Sequence, residues 1–547
     1  MMTHYFSRLQ KQIILNWDRD ALCNYNGTGF TFGQIATQIE KLHILFSDLD
    51  INKGDRIAIC ARNQAQWGIA FLAVNTYGAV VVPILADFHP DSIAGILEHS
   101  GSIMLFTDSE IWNKLDKDKI ANVKRVMQVS DFTPLSMADS DKATFDSLEQ
   151  SFQAKYPDGF GKNDVSYPID NDKELAVINY TSGSTGQPKG VMLRYECFSA
   201  NIDYAHKRIP STPDDTILSI LPMAHMFGMV FELIYPLCGG STVYYLGRTP
   251  SPTLLMQAMS KVKPFLVIAV PMIFEKIYKS KLLPMTKKPL VRIMMAIPGL
   301  NRIIYGKMRG ALDQAFGGNV RTYIMGGAAV NPEVESFLHR IGLHFTIGYG
   351  MTEAAPLLTY EDWDKFKLRS CGKAMDYVSL RVDSSDPQHI PGEIQAKGIN
   401  LLSGYFNNES ATRAAFTSDG WFNTGDLGVI DADGNVFIKG RSKSMLLTSS
   451  GQNIYPEEIE CIVNSQEFVS ESVVVMRDDK LVALVSLDQD AIRKLGIKED
   501  AIAGIIENIR TSANRQLSKY SQLSKIEVVT QPFEKTPKMS IKRYLYK

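Results

Sequence analysis

Scarcity narrows the possibilities for this chain before any motif is considered. The six cysteines, at positions 23, 60, 197, 238, 371 and 461 of 547 residues, form no CxxC pair and no zinc-like cluster. A disulfide framework and a structural zinc site are therefore not expected, and the thiols read as reduced, in a cytoplasmic compartment. Net charge is nearly absent, with 58 Lys and Arg against 59 Asp and Glu. That balance gives no whole-molecule attraction to polyanions, so no nucleic-acid partner is expected and any lipid contact must come from a local patch. The opening MMTHYFSRLQKQIILNWDRD lacks an apolar run of signal-peptide length, since Ile13, Ile14 and Leu15 are followed at once by Asn16 and Asp18. The most apolar stretches, 265–274 and 221–237, contain Pro, His or Glu and fall short of a membrane span. There is no internal repeat and no low-complexity run.

What is present is an ordinary globular composition, 45% hydrophobic and 21% charged, long enough for about three compact units. Helical periodicity alternates with short β-rich runs: ATQIEKLHILFSDL reads as helix, RIAIC as strand, QWGIAFLAVNTYGA as helix and VVVPI as strand. This alternation predicts an α/β fold with parallel sheets. Further strands are predicted around ELAVINY, TILSILPM, FLVIAV, RTYIMGG and LHFTIGYG, with Asn331 as an N-cap ahead of Pro332. From about 370 to 440 the pattern becomes short strands and turns, a β-rich part. After the charged segment GRSKS a compact α+β tail follows, so the division expected is 1–440 and 441–547.

The strongest local signal is YTSGSTGQPKG, Tyr180 to Gly190, directly after an apolar strand. Glycines and hydroxyl side chains at Thr181, Ser182, Gly183, Ser184, Thr185 and Gly186, followed by Lys189, offer backbone N–H groups, hydroxyls and a mobile cation to a phosphate. It is not a Walker A loop, because Lys189 is followed by Gly190 and preceded by Pro188.

This segment resembles the phosphate loop of the acyl-adenylate-forming superfamily, which includes fatty acyl- and aryl-CoA ligases. Other segments match in the family's order: GDRIAI at 54, MGGAAV at 325, GYGMTE at 348, GWFNTGD at 420, GRSKSMLLTSSGQNIYPEEIE at 440 and KTPKMSIKR at 535. The resemblance implies a large N-terminal domain of two layered α/β subdomains plus a small β-barrel-like one, and a small mobile C-terminal domain. It implies that Thr352 touches the α-phosphate of ATP, that Glu353 holds Mg²⁺, and that Gly326, Gly327, Ala328, Gly348, Tyr349 and Gly350 surround the base. Asp426 and Arg441 are assigned to the ribose, Lys443 to the hinge between domains, and Gly451 to the place where CoA's pantetheine arm enters. His225 falls where relatives carry an aromatic or histidine beside the bound carboxylate, and Met223, Met226, Phe227, Met229 and Phe231 are candidates for an acyl tunnel, although a Met and Phe stripe is more often core than pocket.

The chemistry so implied has two steps. A carboxylate displaces pyrophosphate from ATP to give acyl-AMP, and a thiolate then displaces AMP. Thr185, Lys189 and Glu353 with Mg²⁺ suit the charge neutralisation this needs. The family's C-terminal lysine is replaced by Ser540. In an extended segment Lys538 shares a face with Ser540, about 7 Å away, within reach of a lysine side chain, so Lys538 is the expected substitute. PMIFEKIY at 271–278 resembles long-chain fatty acyl members, which points to a medium- to long-chain fatty acid. The alternatives are a ligase that loads an acyl carrier protein and a catalytically weakened homologue. Residues 276–309 hold nine Lys and Arg and no acidic residue, read either as a peripheral membrane contact or as a solvated basic face beside a substrate entrance.

Overall fold

A helix with no charged residue and little polar character, Ala65–Tyr77, occupies the centre of the largest core, and eleven of its thirteen residues are buried. Such a helix is stable only when covered on all sides. It packs on strand Asp20–Asn24 of one sheet and on strands Arg56–Cys60 and Val80–Pro83 of another, with Trp67 wholly enclosed. The computed structural model describes residues 2–181, 188–247, 251–447, 453–536 and 541–546. Ser182, Gly183, Ser184, Thr185 and Gly186, together with Gly451, Lys538 and Ser540, lie outside the described residues.

The larger sheet has eight strands. Its order runs Gly404–Tyr405, Lys189–Arg194, Leu175–Thr181, Val80–Pro83, Arg56–Cys60, Met104–Thr107, Arg125–Gln128, Pro134–Ser136. The five strands from Leu175–Thr181 to Arg125–Gln128 are parallel, and the outer pairings are antiparallel. A second sheet joins Thr216–Ser219, Thr242–Tyr245, Asp20–Asn24 and Gly29–Thr31. A third, all parallel, joins Leu266–Ala269, Thr322–Met325 and Phe345–Ile347. The predicted N-cap forms, with Asn331 accepting from Glu333 N at 2.9 Å and Val334 N at 3.1 Å.

The β-rich part is an open antiparallel sheet of Val378–Asp383, Gly392–Gly398, Phe422–Ile430 and Val436–Arg441, not a closed barrel. The terminal part packs helices Pro456–Ser465 and Glu499–Asn514 on a mixed three-stranded sheet around its own apolar cluster. All six cysteines are unpaired. Among the described residues no helix is long and apolar enough to cross a membrane.

Candidate active site

Strands Leu175–Thr181 and Lys189–Arg194 pair antiparallel, with Thr181 opposite Lys189. Gly190 has to be glycine, because a Cβ there would lie 2.9 Å from Ile178 Cγ2 and 3.1 Å from the Tyr180 ring. The Nζ of Lys189 lies 5.0 Å from the centre of the Tyr405 ring, a cation–π distance. Tyr405 comes from the two-residue strand that pairs with Met192 and Val191. Its hydroxyl donates to Glu353 Oε1 at 3.1 Å. Lys189, Tyr405 and Glu353 thus form one contact series.

The short turn holding Thr352 and Glu353 is pinned from three sides. Leu402 N donates to Glu353 O at 2.8 Å, while Asn201 Nδ2 and Asn400 Nδ2 donate to Ala354 O at 3.2 and 3.0 Å. Just upstream, Gly350 passes so near the chain that a Cβ would stand 2.1 Å from Pro356 O. Tyr349 donates its hydroxyl to Asp426 Oδ2 at 2.7 Å, and Arg441 Nε meets Asp426 Oδ1 at 2.8 Å. Burial raises the Asp426 carboxyl above its usual range, against the opposing pull of Arg441 and Tyr349. Each carboxylate oxygen retains acceptor capacity beyond these partners. Gly348 N donates to Met325 O at 2.9 Å, and Gly326 lies against Gly348, its notional Cβ 3.2 Å from Gly348 O. Gly327 adopts a φ of +79°, and Ala328 beside it is exposed. The strand ends carrying these glycines and the Tyr349–Arg441 series therefore adjoin.

His225 caps the one-turn helix Met226–Gly228, its Nδ1 accepting from Phe227 N at 3.4 Å. Ala224 O accepts from Asn179 Nδ2 at 2.9 Å, which ties this loop to strand Leu175–Thr181. A buried carboxylate fixes the loop from the other side. Glu232 Oε2 accepts from Ser219 Oγ, Ile220 N and Leu221 N at 3.0–3.1 Å. Burial pushes the Glu232 carboxyl up to about 8.

An apolar cavity has walls that include Tyr204, Phe227, Phe231, Ile268, Ile324 and Leu357, and the ring of its wall residue Phe227 lies 6.3 Å from that of His225. Of the five candidate tunnel residues, Phe227 and Phe231 line it, whereas Met223, Met226 and Met229 are enclosed in the core. Arg208, the charged member of the lining, is paired with Glu361 and lies 3.3 Å from Asp362. Its charge is therefore balanced within the protein. The cavity shares strands Thr322–Met325 and Leu357–Tyr360 with the elements carrying Gly326 and Glu353.

Among the described residues no three His, Cys, Asp or Glu side chains gather as a metal cage. One half-buried carboxylate, Glu353, suits a hard cation that takes its other ligands from phosphate oxygens and water, as Mg²⁺ does. Lys443 occupies the turn after Arg441, where Ser444 N and Met445 N donate to Arg441 O, both at 3.1 Å. Tyr405, Asn201, Asn400 and Glu232 escaped the sequence reading. Tyr405 is 52 residues from its partner Glu353, and no periodicity or turn signal marks a two-residue strand.

The AMP-binding enzyme family matches residues 9–406, and the AMP-binding enzyme C-terminal domain matches residues 443–546. Long-chain-fatty-acid–CoA ligase FadD15 of Mycobacterium bovis is 27% identical over 94% of this chain and 90% of its own. Long-chain-fatty-acid–CoA ligase 1 of Saccharomyces cerevisiae is 28% identical over 87% of this chain and 74% of its own. O-succinylbenzoate coenzyme A synthetase of Bacillus subtilis, solved in complex with ATP and magnesium ion, has the same fold, with a TM-score of 0.74 and 21% identity over 98% of each chain. From these matches, the chain belongs to the AMP-binding enzyme family and is an acid–thiol ligase.

Proposed function

We propose that the protein activates a medium- to long-chain fatty acid with ATP to acyl-AMP and then forms the CoA thioester, releasing AMP. The observation that carries the acid assignment is the apolar cavity walled by Phe227 and Phe231, whose arginine is already neutralised by Glu361 and Asp362. Such a lining favours an uncharged hydrocarbon tail over a second carboxylate. The names of the two ligases above point to the same substrate class.

In this reading Lys189 and the Thr181–Gly186 segment hold the phosphates, and Thr352 meets the α-phosphate. Gly326 to Ala328 and Gly348 to Gly350 border the base, and Asp426 with Arg441 holds the ribose. Mg²⁺, held by Glu353, would supply neutralisation of phosphate charge. Tyr405 keeps Glu353 and Lys189 at fixed separation, so their opposite charges do not collapse onto each other before the nucleotide arrives. Lys538 serves in place of the absent lysine at Ser540, Lys443 is the hinge between 1–440 and 441–547, and Gly451 lies on the CoA path. Contact of 276–309 with a membrane belongs to the same reading.

The test is thioester formation with CoA across saturated acids of increasing chain length, with AMP release followed in parallel. Turnover rising from short to long acids supports the assignment. Acyl-AMP formation without any CoA thioester would identify instead a ligase for a carrier protein, and no pyrophosphate exchange with any acid would identify a weakened homologue.

A further inference from the structure

Eight of the eighteen large apolar side chains exposed among the described residues fall between Val270 and Ile303. Five of them, Leu290, Ile293, Ile297, Leu300 and Ile303, lie on or between the helices of a pair in the crossover from strand Leu266–Ala269 to strand Thr322–Met325, both of which border the apolar cavity. The first helix, Pro289–Ala296, has no buried residue. Its Leu290 and Ile293, with Ile297 just beyond, are 69%, 60% and 43% exposed. Their spacing of three and four places them on one face. In the second helix, Leu300–Ala315, Met308 and Leu312 face the core, with Ile304 and Tyr305 packed against it, while Leu300 and Ile303 remain outside. This pair therefore has an inner apolar side satisfied by the core and an outer apolar side that nothing among the described residues covers.

The charges beside this outer side are all of one sign. Of the nine cations in 276–309, Lys279 donates to Asn464 O at 2.6 Å and Arg309 lies 3.9 Å from Asp313. Lys287, Lys288, Arg292, Arg302 and Lys307 are exposed and have no acidic partner among the described residues. A second copy of the chain is a poor occupant, since a two-fold contact would bring these cations against their own images.

We infer that the outer face of the 289–307 helical pair docks on an anionic lipid surface, with Leu290, Ile293, Ile297, Leu300 and Ile303 entering the headgroup region and the flanking cations meeting lipid phosphates. Apolar contact and charge attraction then act together, the combination that holds interfacial helices. This deepens the membrane contact in the preceding reading and is independent of which acid is activated.

The experiment is sedimentation of the full chain at low salt with vesicles of equimolar phosphatidylglycerol and phosphatidylcholine, and with phosphatidylcholine alone. Binding should require phosphatidylglycerol and fall as salt is raised. The variants Lys287→Gln/Lys288→Gln/Arg292→Gln/Arg302→Gln and Leu290→Ser/Ile293→Ser should each lower the partition coefficient by at least about tenfold, with unchanged melting temperature and unchanged turnover of dissolved substrates. Failure to bind the anionic vesicles, or binding that neither variant weakens, overturns the inference. So does capture by polyglutamate without vesicle binding, which would mark an acidic protein partner, or a dimer in light scattering that the serine variant dissolves. Vesicle binding without any fatty acyl-CoA synthesis would leave the docking face standing while the substrate reading fails.

Discussion

At the scale of single residues, Tyr405 has two separable parts: a ring beneath the Lys189 ammonium and a hydroxyl on Glu353. Tyr405→Phe keeps the first and deletes the second. Loss of one hydrogen bond to a charged group should slow acyl-AMP formation by about tenfold, with the melting temperature nearly unchanged; equal rates would show that Glu353 is oriented by other groups. Glu232 makes a different prediction. Its carboxyl, ordinarily near 4.5, is held at about 8 by burial, so the folded state retains a proton that the unfolded chain releases. The stability this provides is complete below about pH 4.5 and is lost as pH rises towards about 8. Glu232→Gln should remove that part of the decline, which urea unfolding at several pH values would show as a flatter profile than wild type. An unchanged slope would mean that Glu232 is ionised in the fold. Lys189, Glu353, Tyr349, Asp426 and Arg441 stood out in the sequence because each sits in a compact motif. Tyr405 and Glu232 did not, since their roles arise from pairings between distant segments.

At the scale of elements, glycine placement decides how closely segments approach. Gly350 runs against the chain at Pro356, with a notional Cβ 2.1 Å from a carbonyl oxygen that cannot rotate away as a side chain would. Gly350→Ala should destabilise the protein by about 1–3 kcal/mol and disturb the Thr352–Glu353 turn immediately after it, measured as a lower urea midpoint together with weaker ATP binding. Alternating periodicities located most of the parallel strands, because buried strands are continuous apolar runs. They did not reveal the π-helical turn Met229–Ile234, whose composition is indistinguishable from ordinary helix. Nor did they separate the methionines enclosed in the core from Phe227 and Phe231 on the cavity wall, since all five are apolar at helical spacing. The barrel-like part that the resemblance implied is an open sheet at 378–441, a difference the strand pattern does not carry, since short antiparallel strands look alike whether or not the last pairs with the first.

At the scale of the whole molecule, polar contacts among the described residues join the terminal part to the larger one. Lys279 reaches Asn464 O, Asn331 Nδ2 donates to Cys461 O at 3.2 Å, and Lys439 pairs with Glu458 at 3.0 Å. Two of these three contacts end on backbone carbonyls rather than on a paired charge, which is compatible with the proposed turning of the terminal part about Lys443. Lys443→Pro fixes φ there and should impair thioester formation from supplied acyl-AMP and acyl-AMP formation to unequal extents. Equal impairment in the two half-reactions would place the pivot elsewhere.

The eight-stranded sheet has a further consequence, for association between molecules. Its margins are Gly404–Tyr405 and Pro134–Ser136, two and three residues long, and the latter begins with a residue that has no N–H to donate. A foreign strand finds almost no ladder to extend at either border. Fibre growth from the folded protein is therefore blocked at both ends of its largest sheet, and aggregation on heating should follow the unfolding rate. At one of those borders, the residue that closes the sheet against strand addition is Tyr405, the one that spaces Lys189 from Glu353.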